Sequence, residues 1–178
     1  MTRPPDANIK PLIDAQALAR RVAELGQEIT EDYKGESLYI CCVLKGAFVF
    51  TADLIRHIDC PLRVDFVRLA SYGEGTESSG KVKITKDVEL SFEDCHVLIV
   101  EDIIDTGITM KFLVERLKLH KPKSVRICTM LDKRSRREVE VPVDYVGFTI
   151  GDGFVLGYGL DYAEYYRDLS GVYVVENP

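Results

Sequence analysis

Apolar residues along this chain fall into two alternating patterns: short unbroken runs, and stretches with an apolar residue every three or four positions. After Asp14, Leu18, Val22, Leu25 and Ile29 recur at helical spacing, which predicts a first helix with Asp14 as its cap. The preceding Met1-Thr2-Arg3-Pro4-Pro5 is polar and Pro-rich and reads as a floppy start before that helix. Leu38–Leu44 is an unbroken apolar run that predicts a buried strand ending at Lys45-Gly46, and residues 47–58 are apolar along one helical face. Residues 62–70 alternate only roughly, at Val64, Phe66 and Val67, yet their β-branched and aromatic content predicts a strand. Residues 71–80 are rich in Gly, Ser, Thr and Glu and read as loop.

Residues 97–100 form a short β-branched run of the kind a parallel strand buried on both faces requires, and residues 110–119 carry Phe112, Leu113, Leu117 and Leu119 at helical spacing. Strands are also predicted over 124–131, 145–150 and 172–175, separated by a basic turn and a Gly-rich segment. The order strand, loop, helix predicts an α/β architecture with a mostly parallel central sheet flanked by helices. Ligands of such sheets sit beyond the carboxyl ends of the strands, and Lys45, Ser71, Glu101 and Lys133 each follow a predicted strand.

The densest chemistry lies in Val-Glu-Asp-Ile-Ile-Asp-Thr-Gly-Ile-Thr, residues 100–109, where a strand runs into an acidic pair, a third carboxylate and a turn that opens a helix. Amides of Thr106, Gly107, Ile108 and Thr109 at a helix N-terminus favour a phosphate, and Gly107 permits close approach. Glu101 and Asp102 can accept from vicinal hydroxyls or hold a hard cation such as Mg²⁺, and Asp105 then lies between sugar and phosphate. The plainer reading has Asp105 or Thr106 as a helix cap and the acidic pair as a solvated strand end. Against it, two neighbouring like charges repel unless a cation or hydroxyls use them.

Composition narrows the class. The 178 residues are 46% hydrophobic and 29% charged, enough for one core-bearing domain, with no repeat, no low-complexity tract and no apolar run approaching a membrane span. With no signal-peptide pattern at the start, a cytoplasmic location is expected. A formal net charge of −6 disfavours a general nucleic-acid binder and makes a metal more necessary for an anionic substrate. Cys41, Cys42, Cys60, Cys95 and Cys128 show no metal-ligand spacing and read as reduced thiols in or beside apolar runs.

The 100–109 motif resembles the phosphoribosyl pyrophosphate (PRPP) signature of type I phosphoribosyltransferases, in wording closest to the hypoxanthine-guanine branch. The resemblance extends from about Leu38 to Val175 through five motifs in the family's order. It implies the type I fold as a single domain over 1–178, with a small hood lobe from the N-terminal segment and about 150–178. It further implies that Asp105 through Thr109 hold the 5′-phosphate and that Glu101 and Asp102 engage the ribose hydroxyls and metal. Leu44-Lys45-Gly46 resembles the family's pyrophosphate loop, with a cis peptide implied between Leu44 and Lys45, and Arg167 corresponds to a pyrophosphate-contacting arginine. Ser71 and Tyr72 match a lid pair over the reacting centre, although by itself the segment reads as a disordered surface loop.

Lys133 matches the lysine that reads a purine 6-oxo group, since an ammonium donates but cannot accept; by charge alone, 131–137 reads as a solvated basic turn. The neighbouring arginines are read as solvated surface. In the hood motif Phe154 would stack on the base, main-chain groups of Val155 would read its edge, and Asp161 would position a second Mg²⁺. Without the resemblance, Phe154 reads as core and Arg167 as an ion-pair partner, while Tyr158, Tyr162, Tyr165 and Tyr166 are assigned to packing. Two departures are Ile108, at a variable position, and Gly151, where a proline is common.

The implied reaction transfers the phosphoribosyl group from PRPP to N9 of hypoxanthine or guanine and releases pyrophosphate, with Asp105 as base and Mg²⁺ as cofactor, in a homodimer or homotetramer. Two other readings stand beside it: a xanthine-accepting enzyme, and a nucleotide-sensing RNA-binding regulator on the same fold. The latter needs a broad basic face, which 133–137 is too short to supply.

Overall fold

The computed structural model describes residues 8–72 and 81–176. Helix α1 (Ala15–Asp32) starts where its cap predicts, with Asp14 Oδ1 accepting the Ala17 amide at 2.8 Å. Its apolar stripe, Leu18, Val22, Leu25 and Ile29, is fully buried. Strands β2 (Leu38–Leu44), β3 (Leu62–Tyr72), β5 (His96–Ile104), β6 (Ser124–Asp132) and β7 (Tyr145–Thr149) run parallel, and β4 (Lys81–Lys86) closes one edge antiparallel to β3. The order is β4-β3-β2-β5-β6-β7, a mostly parallel α/β sheet as expected.

Period-2 alternation divides the core between the two faces. Ile40, Leu98, Val100, Cys128 and Met130 join α1 and helix α2 (Phe48–Leu54) on one side. Tyr39, Cys41, Val43, Val97 and Ile99 join Leu113 and Leu117 of helix α3 (Ile108–Lys118) on the other. Because both faces are covered, β2 and the first part of β5 read as continuous apolar runs. A second antiparallel sheet, in the order β1-β9-β8, joins β1 (Ile9–Ile13), β8 (Phe154–Leu156) and β9 (Val172–Val175).

Several local expectations need correction. Residues 9–13 form the edge strand β1, which no predicted element covers; Pro11 and a register shift disguise it, as edge positions tolerate. Strands β4 and β8 have no counterpart among the predicted elements, β8 because three residues among glycines carry too little pattern. Ser71 and Tyr72 are not loop but the last residues of β3, paired with Val82 and Lys81, while the rest of the expected lid, 73–80, lies outside the described residues. Strand β5 continues through the acidic pair to Ile104, because β6 supplies partners there, Thr129 for Glu101 and Asp132 for Ile104. Helix α3 buries Met110, Leu113 and Leu117, whereas Leu119 lies beyond its end and is 70% exposed. Beyond α2 the expected helix tightens into a short 3₁₀ turn, Ile55–His57.

Candidate active site

The carboxyl ends of β2, β5 and β6 lie side by side, which brings Lys45, the 101–109 segment and Lys133 to one edge of the sheet. The 104–109 turn is held from behind. Ile104 O accepts the Lys133 amide, Asp105 O accepts Arg137 Nε, and Thr106 O accepts the amides of Glu138 and Val139, all at 3.0 Å. Gly107, at φ +84, caps α3; a Cβ there would lie 2.3 Å from Val139 O, so only glycine lets the two loops close. With its carbonyls satisfied from behind, the turn leaves the first amides of α3 without helical partners. Only a long 3.4 Å contact ties the Ile108 amide to Thr106 Oγ1.

Two cavities meet at this turn. One of about 170 Å³ is lined by Glu101, Ile103, Ile104, Asp105, Thr106, Gly107, Thr109 and Met110. Another of about 640 Å³ is lined by Ile103, Asp105, Lys133, Arg136, Asp152, Gly153, Phe154, Val155, Leu160 and Asp161. Ile103 and Asp105 belong to both. Among the described residues Asp105 Oδ1 is buried without a hydrogen-bond partner, and Oδ2 lies 3.4 Å from Arg136 Nη1. A carboxylate left with an unused lone pair at the junction of two cavities is a candidate base. A larger cavity, about 910 Å³, lies between α1, α2 and residues 158–170; it touches Arg167 but none of the 101–109 residues, so size does not locate the chemistry.

In the larger of the two joined cavities Lys133 is 5% exposed, with its ammonium donating to Gly153 O at 2.8 Å. That leaves two of its three donors for a base. Phe154 is 41% exposed, so it is not core, and it meets Tyr162 edge-on at 5.4 Å. The expected cis peptide is present between Leu44 and Lys45. Gly46 is packed so closely that a Cβ would fall 1.5 Å from Asp102 Oδ2, and a Cβ on Gly159 would fall 2.2 Å from Gly46 O. Arg167 donates to Gly159 O and Asp161 Oδ1 and lies 3.6 Å from Glu164, which in turn accepts from Lys45 Nζ at 2.6 Å.

Glu101 is buried and Asp102 half-buried. Burial first, and then the charge of Asp102, pushes the Glu101 carboxyl well above the ordinary range. Burial also raises Asp102, although hydrogen bonds and the positive charge of Arg167 oppose it. A divalent cation held by one or two carboxylates plus substrate oxygens answers this excess of negative charge, so the pair fits Mg²⁺. Asp161, expected to position a second Mg²⁺, directs Oδ1 to Arg167 and Oδ2 to the Glu164 amide.

Of the arginines beside Lys133, Arg134 and Arg136 are exposed as expected, but Arg137 is not. Arg137 is almost fully buried, pairing with the buried Asp132 and the Asp105 carbonyl, while Arg134 also takes Asp132. Charge alone gives no sign of this, because the partner carboxylate is brought up by the strand end. Arg136 and Glu164 also belong to the site without having been singled out by motif; their spacing of three from Lys133 and Arg167 is the one signal the chain offers for them. Of the departures, Gly151 has nothing within 4 Å of where a Cβ would lie, so a side chain fits there.

The profile of the phosphoribosyl transferase domain matches residues 9–163, most of the chain. The chain belongs to the phosphoribosyl transferase family. Its relatives include the hypoxanthine-guanine phosphoribosyltransferase of Bacillus subtilis, 48% identical over 94% of this chain and 93% of that one. The hypoxanthine phosphoribosyltransferase of Escherichia coli is 48% identical over 90% and 92%. Among solved structures, the hypoxanthine-guanine phosphoribosyltransferase of Bacillus anthracis, with a HEPES molecule in its active site, superposes with a TM-score of 0.90 at 46% identity, covering 94% of this chain and 98% of that one. For this phosphoribosyl transferase the expected type I fold is therefore matched along nearly the whole chain.

Proposed function

We propose that this protein transfers the 5-phosphoribosyl group from PRPP to N9 of hypoxanthine or guanine, giving IMP or GMP and pyrophosphate. The observation that carries this reading is the Asp105 carboxylate shared by two cavities, one edged by a helix N-terminus and the other by Lys133 and Phe154. In the smaller cavity the amides of 106–109 bind the 5′-phosphate, with Glu101 and Asp102 facing the ribose side. In the larger one Phe154 stacks on the base, Lys133 donates to its 6-oxo group and main-chain groups of Val155 read the edge. The sheet of β1, β8 and β9 serves as the hood over that base, all within one domain.

Asp105 accepts the purine N7 proton as the N9 lone pair attacks C1 of the ribose; the C1–oxygen bond breaks and pyrophosphate leaves with the electron pair. As in glycoside cleavage, positive charge develops on the sugar, so the site must hold the nucleophile close and stabilise the departing anion. Lys45, the Gly46 backbone and Arg167 meet that anion. Glu101 and Asp102 would hold Mg²⁺, which would supply charge neutralisation for the departing diphosphate. Asp161 would help to position a second Mg²⁺.

We further propose a cytoplasmic enzyme that works as a homodimer or homotetramer. Among the described residues no helix is long and apolar enough to cross a membrane. An RNA-binding role gains no support, because Arg134 and Arg137 are neutralised by Asp132 within the fold. The test mixes protein, PRPP and Mg²⁺ with hypoxanthine, guanine, xanthine or adenine, following nucleotide absorbance with and without EDTA. Metal-dependent turnover of hypoxanthine and guanine, with adenine inert, is expected. Turnover of xanthine alone, or of no purine, overturns the proposal.

A further inference from the structure

We propose that Glu164 is an internal anion lying in the diphosphate subsite, so that it lowers and thereby tunes the site's affinity for pyrophosphate. The inference rests on the assignment of Lys45 and Arg167 to that subsite. Tyr162 and Tyr165 exchange both backbone hydrogen bonds at 3.1 Å, closing a two-residue hairpin turn. Its central residues, Ala163 at φ +52 and Glu164 at φ +69, are both left-handed, the geometry of a type I′ turn. That turn favours Asn-Gly, and an alanine and a glutamate are poorly suited to it because of their Cβ atoms. Tertiary contacts hold it, including Asp161 Oδ2, which accepts the Glu164 amide at 2.8 Å.

The turn sets one carboxylate oxygen against both cations of the subsite. Glu164 Oε2 accepts from Lys45 Nζ at 2.6 Å and lies 3.6 Å from Arg167 Nη2. Both members of the Lys45 pair are exposed, at 44% and 64%, so the contact is one that a stronger anion can displace. A diphosphate brings more charge and several acceptor oxygens, and it replaces Glu164 on Lys45 and Arg167. Whatever the internal contact is worth is subtracted from diphosphate binding, and its return favours release of the pyrophosphate product. An ion pair that merely braced Lys45 would have the opposite effect, because its loss would weaken the site.

The test is a calorimetric titration of pyrophosphate with Mg²⁺ at low ionic strength into the full-length protein, its Glu164→Gln and Glu164→Gly variants, Lys45→Ala, and the Lys45→Ala/Glu164→Gln double variant. Glycine suits a φ of +69, so Glu164→Gly keeps the turn whatever the glutamine variant does. Both Glu164 variants are expected to bind pyrophosphate about two- to fivefold more tightly. The gain should vanish in the Lys45→Ala background. Equal or weaker binding by both Glu164 variants, with Lys45→Ala weakened, overturns the proposal and leaves the assignment of Lys45 intact. Wild-type affinity in Lys45→Ala removes that assignment and the proposal with it.

Discussion

Replacing Asp105 by asparagine separates catalysis from stability. The substitution keeps the shape of the side chain and removes one charge. Among the described residues no donor reaches Oδ1, so no hydrogen bond between them is lost there. Oδ2 loses its pairing with Arg136, but at 3.4 Å and with side chains 34% and 59% exposed that contact is worth at most about 1 kcal/mol. For a chain of this size that corresponds to a fall in Tm of about 2 to 4 °C. If Asp105 takes the purine proton, kcat should drop about 10²- to 10⁴-fold, or about 3 to 5 kcal/mol of transition-state stabilisation. KM for PRPP should move by less than about threefold, because the lost interaction belongs to the transition state. Steady-state absorbance kinetics with hypoxanthine, alongside a thermal melt, measures both quantities. Turnover within about threefold of wild type would remove Asp105 from the mechanism, and a fall in Tm beyond about 6 °C would show that it supports the loop instead.

Three further outcomes follow from packing and charge. Gly46→Ala drives a methyl group into Asp102 and should cost about 100-fold in kcat/KM, whereas Gly151→Ala, which meets nothing, should match wild type in the same assay. Arg137→Ala leaves the buried Asp132 with only the exposed Arg134 and should cost up to about 3 kcal/mol in denaturant titrations; Arg134→Ala, whose side chain is 71% exposed, should melt near wild type. Burial pushes the Asp65 carboxyl upward, but hydrogen bonds from Tyr39 and the amides of Leu90, Phe66 and Glu89 outweigh it and hold it at about 2. Because the folded value lies below the unfolded one, about 2 to 3 kcal/mol of stability is present above about pH 4 and lost as pH falls toward 2. Asp65→Asn should remove that dependence, and melts that keep the same slope between pH 4 and 2 would assign it to other carboxylates.

What could be read without the structure was whatever local pattern and turn chemistry determine. The period of Leu18, Val22, Leu25 and Ile29 and the cap at Asp14 set α1, and the apolar run of Leu38–Leu44 set β2 to the residue. Both depend only on neighbours in the chain. The acidic pair, the Thr/Gly turn and Lys45-Gly46 were legible as candidates for the same reason, since close backbone approach and a helix start leave their mark on consecutive residues. Strands β1, β4 and β8 left no such mark, because short edge strands owe their form to a partner far along the chain, as Ile9 does to Val175.

Amino-acid order by itself therefore determined the α/β class, the main strands and helices, and the residue types available at each strand end. Only the tertiary structure decided what those side chains do. It gave Asp105 to two cavities at once and buried Arg137 against Asp132. It also turned Glu164 onto Lys45, 119 residues away, and paired Asp161 with Arg167. The physical reason is that burial, charge pairing and free lone pairs are properties of a place. Residues distant in sequence create that place together when the sheet aligns its strand ends.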